Sequence, residues 1–444
     1  MRFILDFLYI IVLLLYSPVV VYRVIRHKRY KDGWAQRFGK ISRDNPTKKS
    51  IWIHAVSVGE VNAAKTIIQE LKKFSDFDIV ISTTTDTGQA RAKVIFGNEH
   101  KVIYFPFDFS LCMQRAFRNI NPAICLLMEL EVWPNFVDIA KKLNVPVVIV
   151  NGRISDRSFS RYSKIKPLIK RVFAKIERAL AQTQEYADRF KIIGVPENNV
   201  VVTGSLKYDT AQITDKVQGS DLLESQLEAC GIRVMSNEGR ATKLWVAGAT
   251  GPGEEEIILD VYNQLLTNNK FKDLLLVVVP RKPERFNEVA NLITNSGFEC
   301  LRYSTIKTQD SINEPQVTRD KKRVVLGDTM GDLRKFYSLS SIIFVGRSLV
   351  PMGGSDMMEA AALGKCTMFG PHAFNFRQTV DALLENEGAI LVKDEQEFFN
   401  AIQRCLSDTD YTQKIARNGQ QVIKNNQGAT QKTVKQIEKY LKAI

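Results

Sequence analysis

The sequence is short of the residues that build metal and redox centres. Only four histidines and six cysteines occur in 444 residues. The cysteines (Cys112, Cys125, Cys230, Cys300, Cys366 and Cys405) are scattered and form no CxxC pair. That argues against a zinc site or a disulfide scaffold and fits a reduced compartment. No Walker A sequence and no GxGxxG spacing occur, so the common nucleotide fingerprints are missing. Zinc-finger and RNP-like patterns are missing too, and no nucleic-acid partner is expected. Internal repeats are absent. Negative charge is in deficit: 62 Lys and Arg face 48 Asp and Glu, a net charge of +14. Such a surplus suits an anionic partner, an acidic lipid surface or a phosphorylated substrate.

Long apolar runs are confined to one place. Phe3 to Tyr22 is almost wholly apolar, interrupted by Asp6 and Pro18. At about 1.5 Å per residue it is just long enough to cross a bilayer. Arg23, Arg26, Lys28, Arg29 and Lys31 follow at once. Few positive charges precede the run and no A-x-A-like site closes it, which disfavours a signal peptide. Residues 1–31 therefore read as a membrane anchor with a basic flank. The flank would lie, with the rest of the chain, in the cytoplasm and against anionic headgroups. A full span, a monotopic insertion and a helix packed on the protein itself stay open.

The remainder is ordinary globular composition, 45% hydrophobic and 25% charged, long enough for two domains. Trp52-Ile53-His54-Ala55-Val56-Ser57-Val58-Gly59-Glu60 organises the first. Ile51 to Val56 is a short β-branched run; from Val61 the apolar residues Ala63, Ala64, Ile67, Ile68 and Leu71 fall at helical spacing. A strand thus turns into a helix at Ser57 to Glu60, where open α/β sheets place their ligands. Glu60 is either a helix-start carboxylate or a catalytic base. His54, inside the strand, reads as a core histidine. Further strands are expected at Ile79–Thr83, Lys101–Phe105, Ala123–Met128, Val145–Asn151, Arg178–Gln182 and Val200–Thr203. Strand and helix alternate, so the sheet should be parallel and doubly wound, with Glu60, Thr85, Glu131 and Arg153 converging at its C-terminal edge.

Residues 213–243 are polar and read as a linker carrying one helix, about Leu222 to Ala229. Beyond it the alternation restarts, with strands at Leu244–Thr250, Leu274–Val279, Val324–Leu326, Ser341–Val345 and, as the last, Cys366–Phe369. The domains expected are 32–212 and 244–444, with a return of the basic C-terminal helix to the first left open. Gly346-Arg347-Ser348 and Gly353-Gly354 precede a helix carrying Glu359. Such a turn suits a phosphate through free N–H groups, and Glu359 suits ribose hydroxyls, although Gly-rich turns are also plain structural turns.

In order along nearly the whole chain stand Arg37-Phe38-Gly39, Trp52 to Glu60, Glu129-Leu130-Glu131-Val132-Trp133-Pro134-Asn135, Asn151-Gly152-Arg153, Thr203-Gly204-Ser205-Leu206-Lys207-Tyr208-Asp209, Pro280-Arg281 with Pro283-Glu284-Arg285, Gly327-Asp328-Thr329-Met330-Gly331-Asp332-Leu333, and Phe344-Val345-Gly346 with Ser348-Leu349. With the N-terminal anchor, this set resembles the 3-deoxy-D-manno-octulosonic acid (Kdo) transferases of bacterial lipopolysaccharide synthesis. The resemblance implies an α/β protein of two Rossmann-like domains facing a cleft, the GT-B glycosyltransferase fold, at the inner membrane. It implies inverting transfer of Kdo from CMP-Kdo to a lipid A precursor, lipid IVA, with no cofactor and no bound metal. Glu60 matches the general base, with Glu131 in support. Ser57, Gly59, Glu129 and Arg153 fall on the acceptor side. Arg281, Gly327, Met330, Gly346, Ser348, Gly353, Gly354, Asp356 and Glu359 fall on the donor side. For Glu129 and Glu131 a helix-capping role is the alternative.

The sequence also departs from the family pattern. Gly248-Ala249-Thr250-Gly251 replaces Gly-Ser-Thr-His, Lys282 replaces a His, and Gly353-Gly354-Ser355-Asp356-Met357-Met358-Glu359 replaces Gly-Gly-His-Asn-Pro-x-Glu. A carboxylate at Asp356 is unfavourable beside a donor phosphate. A GT-B transferase with a different donor, or an inactive lipid-binding relative, are the alternatives.

Overall fold

The computed structural model describes residues 32–214, 216–232, 242–308 and 322–443, with scattered positions between 5 and 22. The chain divides into two compact units, Met1–Thr210 with Asn426–Ile444, and Ala211–Asn425.

The first unit is built on seven strands: β1 (Ser50–His54), β2 (Asp78–Thr83), β3 (Lys101–Tyr104), β4 (Pro122–Met128), β5 (Val147–Gly152), β6 (Arg178–Ala181) and β7 (Val200–Val202). Their order is β3-β2-β1-β4-β5-β6-β7, all parallel. Helices cover both faces, so the central strands are buried from end to end and read as unbroken apolar runs. Successive side chains feed opposite cores. Ile51, Ile53 and Ala55 join Val61, Ile67 and Ile68 on one face. Trp52 joins Phe105, Phe117 and Phe136 on the other, its indole N–H donating to Ser82 Oγ at 2.9 Å. The helix Ala429–Leu441 completes the first face with Val434, Ile437 and Leu441. Its start is held by Asp209, whose carboxylate accepts from Gly428 N at 2.7 Å and Thr430 N at 2.5 Å.

The second unit repeats the plan with β8 (Lys243–Thr250), β9 (Leu274–Pro280), β10 (Glu299–Arg302), β11 (Arg323–Leu326), β12 (Ile342–Val345), β13 (Cys366–Phe369) and β14 (Ile390–Leu391). The order is β10-β11-β9-β8-β12-β13-β14, again parallel. Two edge strands were not expected. Glu299–Arg302 is half-buried with charge at both ends, and β14 is two residues long; neither carries a strand-length apolar run. Cys366–Phe369 is therefore not the last strand. Residues 213–232, read as part of a linker, contain the helix Ser220–Ala229 and cluster with the second unit. Leu223 and Leu227 of that helix are fully buried.

The basic flank Arg23 to Lys31 and much of the apolar run before it lie outside the described residues. Among the described residues no helix is long and apolar enough to cross a membrane.

Candidate active site

The strand order reverses between β1 and β4 in the first sheet and, correspondingly, between β8 and β12 in the second, whose outer strands β10 and β11 also fold back. The loops leaving those strands diverge and open a crevice at the C-terminal edge.

In the first unit the reversal brings three carboxylates together. Ser57 caps the helix Val58–Leu71. The Ser57 hydroxyl donates to Glu60 Oε1 at 2.9 Å, and Val56 N donates to Oε2 at 2.9 Å. Glu60 N donates in turn to Ser57 Oγ at 3.4 Å, a variant of the capping box closed on Val56 N, so the helix-start role of Glu60 is present in the geometry. It is not the whole of it. Glu60 is buried, and burial raises its pKa, with the Glu129 charge adding to the rise and the bonds from Val56 and Ser57 opposing it. Glu129 follows β4 in a left-handed conformation, φ 54°, which costs a non-glycine residue about 1 kcal/mol or more and directs the loop toward Glu60. Glu131 is pushed up to about 7, first by burial, then by the charges of Glu60 and Glu129. The Trp133 indole pulls slightly the other way without closing a hydrogen bond. Among the described residues no cation forms an ion pair with any of the three. The site is an uncompensated acidic cluster, suited to taking up a proton near neutrality.

The end of the same motif has a different task. Asn135 N and Phe136 N donate to the Asp108 carboxylate at 3.0 and 2.8 Å. Asn135 Nδ2 reaches Asp6 Oδ1 at 3.0 Å, and the Tyr9 hydroxyl reaches Asp108 Oδ2 at 3.0 Å. The charge that interrupts the N-terminal apolar run is therefore fastened to the helix that follows Glu131. Gly59 is exposed beside the cap. Arg153, half-buried after β5, makes no hydrogen bond or ion pair to the three carboxylates among the described residues. Thr85 is held on the Val56 carbonyl at 2.8 Å and caps the helix Asp86–Phe96. His54 is fully buried, bonded through Nδ1 to Ser82 and stacked on Phe105; burial pushes its pKa down to about 3, so it is neutral.

In the second unit the Gly-rich turn departs from expectation. The N–H groups of Arg347, Ser348 and Leu349 donate to the carboxylate of Glu254 at 2.5, 2.7 and 2.9 Å. Gly346 N is spent on the Gly248 carbonyl and Gly354 N on the Arg347 carbonyl. The phosphate cradle expected from Gly346 and Ser348 is thus already occupied by a side chain. Gly353 and Gly354 have φ of 92° and 81°, and a Cβ on Gly353 would lie 2.1 Å from Asn375; these glycines make a tight turn. Asp356 and Glu359 are both exposed, and their charges help raise the pKa of buried Tyr337. The Asp356 carboxylate accepts from Met358 N at 2.9 Å, so part of its charge is taken up by a helix start. Arg281 is exposed at the end of β9, its N–H on the Thr250 carbonyl at 3.0 Å. Arg285 instead turns inward to Glu255 and Glu288. Gly327 packs under Val279 and Phe336, and Met330 is 68% exposed at a loop tip. Asp328 and Asp332 of that motif are tied to Ser304, Arg302, Lys307 and Lys335. Sequence reasoning missed the roles of Glu254 and Asp108. The only signal for Glu254 was an acidic run at a helix start. Among the described residues no group of three or more His, Cys, Asp or Glu is arranged to hold a metal.

Residues 32–210 match the family model described as 3-deoxy-D-manno-octulosonic-acid transferase. The chain is 33% identical over 442 residues to the 3-deoxy-D-manno-octulosonic acid transferase of Haemophilus influenzae, covering 98% of both chains. It is 28% identical to that of Bordetella pertussis, covering 91% of both. The fold is similar to the crystal structure of UDP-GlcNAc 2-epimerase from Neisseria meningitidis, with a TM-score of 0.57 at 15% identity over 88% of this chain and 100% of that one. It is also similar to a glycosyltransferase from Rickettsia africae, with a TM-score of 0.54 at 17% identity over 88% and 98%.

Proposed function

This chain belongs to the 3-deoxy-D-manno-octulosonic acid (Kdo) transferase family of glycosyltransferases, and we propose that it moves Kdo from CMP-Kdo to the lipid A precursor lipid IVA at the cytoplasmic face of the inner membrane. The observation that carries the mechanism is Glu60, a buried carboxylate of raised pKa at the strand-order reversal. A sugar hydroxyl is a poor nucleophile until its proton leaves. Glu60 takes that proton as the acceptor oxygen bonds to the anomeric carbon. The bond from that carbon to the CMP phosphate breaks, and CMP departs with the electron pair, inverting the centre. Burial and the Glu129 charge keep the base's affinity for the proton high, and Glu131, close enough to feel the Glu60 charge, supports it as part of the same acidic cluster. Departing phosphate charge falls to side-chain cations, Arg281 first, since the turn N–H groups are occupied. The donor is a substrate, and no cofactor is invoked.

Several features support a membrane-embedded, phosphorylated acceptor. The net charge is +14. Trp34, Phe38 and Phe107 form an aromatic group whose Trp34 and Phe38 are 43% and 46% exposed. Phe7, Ile10, Ile11, Leu14 and Leu15 are exposed along the described part of the N-terminal run. Exposed apolar and aromatic groups on a chain of net positive charge suit an anionic bilayer surface. The test is transfer from CMP-Kdo, generated in situ, to tetraacylated lipid A precursor, by the wild type and by Glu60→Gln. Product from the wild type and almost none from the folded variant is expected. Equal activity would remove Glu60 from the mechanism, and no product from the wild type would refute the donor or the acceptor.

A further inference from the structure

Glu60 and Glu254 occupy corresponding places. Each follows the first strand of its sheet, where the strand order reverses. Their surroundings differ. Glu60 accepts one backbone N–H and one hydroxyl and sits beside two more carboxylates. Glu254 is wholly inaccessible to solvent. Its carboxylate accepts four backbone N–H groups: Gly251 at 2.9 Å on the turn leaving β8, and Arg347, Ser348 and Leu349 on the turn leaving β12.

Four converging N–H groups make an anion hole, the arrangement by which backbone turns grip a phosphate. Here the occupant belongs to the protein. The two turns it joins are both strained: Ala249 has φ 55° and Arg347 φ 60°. Unfavourable backbone of this kind persists only where surrounding bonds over-determine it, and charge-assisted bonds are the strong ones. The strain also has a consequence for side chains. Arg347 leans toward the β8 turn, its Cγ 3.2 Å from where a Cβ on Gly251 would be, and its guanidinium reaches the Met352 carbonyl at 3.3 Å. The buried carboxylate thereby sets the direction of a cation at the edge where Arg281 also emerges.

We propose that Glu254 is a donor-positioning residue: a permanent internal anion that holds residues 249–251 and 346–349 in the conformation that receives the nucleotide sugar. It touches no substrate. It acts through the turns, and it leaves the donor phosphate to side-chain cations. This deepens, and rests on, the assignment of the chain as a CMP-sugar transferase.

The experiment is chemical rescue. Glu254→Ala removes a fragment the size of acetate and leaves the four N–H groups facing the gap. The donor KM should rise about tenfold or more with kcat little changed. Acetate or formate should restore the KM, and propionate, too long for the gap, should not. The wild type should respond to none of them. A folded Glu254→Ala protein with an unaltered donor KM would overturn the proposal. So would acetate that restores the melting temperature but leaves the KM high, which is what a purely structural clamp would do. If the Ala variant does not fold, Glu254→Gln carries the test: it keeps one acceptor oxygen, and a donor KM equal to wild type overturns the proposal. CMP binding by the wild type, measured by calorimetry, separates the two failures. Wild-type binding and transfer with an indifferent variant sinks the Glu254 role alone. No binding and no transfer sinks the CMP-sugar assignment, and the positioning role with it.

Discussion

Replacing Glu131 by glutamine should make the protein more stable at alkaline pH and no more stable in acid. The folded environment lifts this carboxyl from 4.5 to about 7, chiefly by burial and then by the charges of Glu60 and Glu129. Between those values the folded protein holds the proton and the unfolded chain has released it. Folding stability therefore falls as pH rises through this window. The full loss, reached above pH 7, is about 3 kcal/mol at 1.36 kcal/mol per pH unit. Glutamine has nearly the same shape and no charge to desolvate, so Glu131→Gln should recover up to that amount at pH 8 and nothing below pH 4.5. For a unit of this size it corresponds to roughly 6–12 °C in melting temperature. Urea titrations of wild type and variant at pH 4 and pH 8, followed by Trp fluorescence, measure it directly. Transfer activity should fall in the same variant, because a stabilising change at a strained acidic site removes what the chemistry uses. A stability difference that is the same at both pH values, or absent at pH 8, would show that Glu131 carries no electrostatic burden and that the three carboxylates do not act as a cluster.

Two further perturbations probe the scaffolds separately. Asp209→Ala deletes the two backbone hydrogen bonds that hold the start of the helix Ala429–Leu441 and should cost about 2 kcal/mol; calorimetry should place the whole loss in the transition of the first unit. Gly248→Ala would set a methyl 2.2 Å from the hydroxyl of Tyr337, a fully buried ring, and should cost about 3 kcal/mol in the second unit, with Tyr337→Phe recovering part of it in the double variant.

What the sequence made readable follows from where the physics is local. The interior strands announce themselves because parallel strands covered on both faces are continuous apolar runs, as in Ala123 to Met128. The edge strands Glu299–Arg302 and Ile390–Leu391 did not, since pairing on one side needs little apolar surface. Glu60 and Glu131 were visible as carboxylates in loops at strand ends. That Glu129 would join them uncompensated depends on β4 lying beside β1, a long-range fact. The turn at Gly346 to Ser348 shows the limit most clearly. Glycine and serine before a helix look like a phosphate site, yet the group that fills it comes from Glu254, 93 residues earlier than Arg347. Local composition describes a turn's donors but not what they are already bonded to.

The position of Asp209 in the chain bears on how the molecule is made. The residue waits for partners that are translated 219 and 221 residues later, Gly428 and Thr430. Until then one face of the first sheet lacks Val434, Ile437 and Leu441, and apolar groups such as Ile67 and Ile68 on that face stay uncovered. At about 5–20 residues per second, a ribosome needs at least ten seconds to supply the missing helix. The second unit, by contrast, is contiguous from Ala211 to Asn425 and can close first. The half of the protein synthesised first is thus the half completed last, and a nascent chain arrested short of Ala429 should expose a sticky face that chaperones or proteases find.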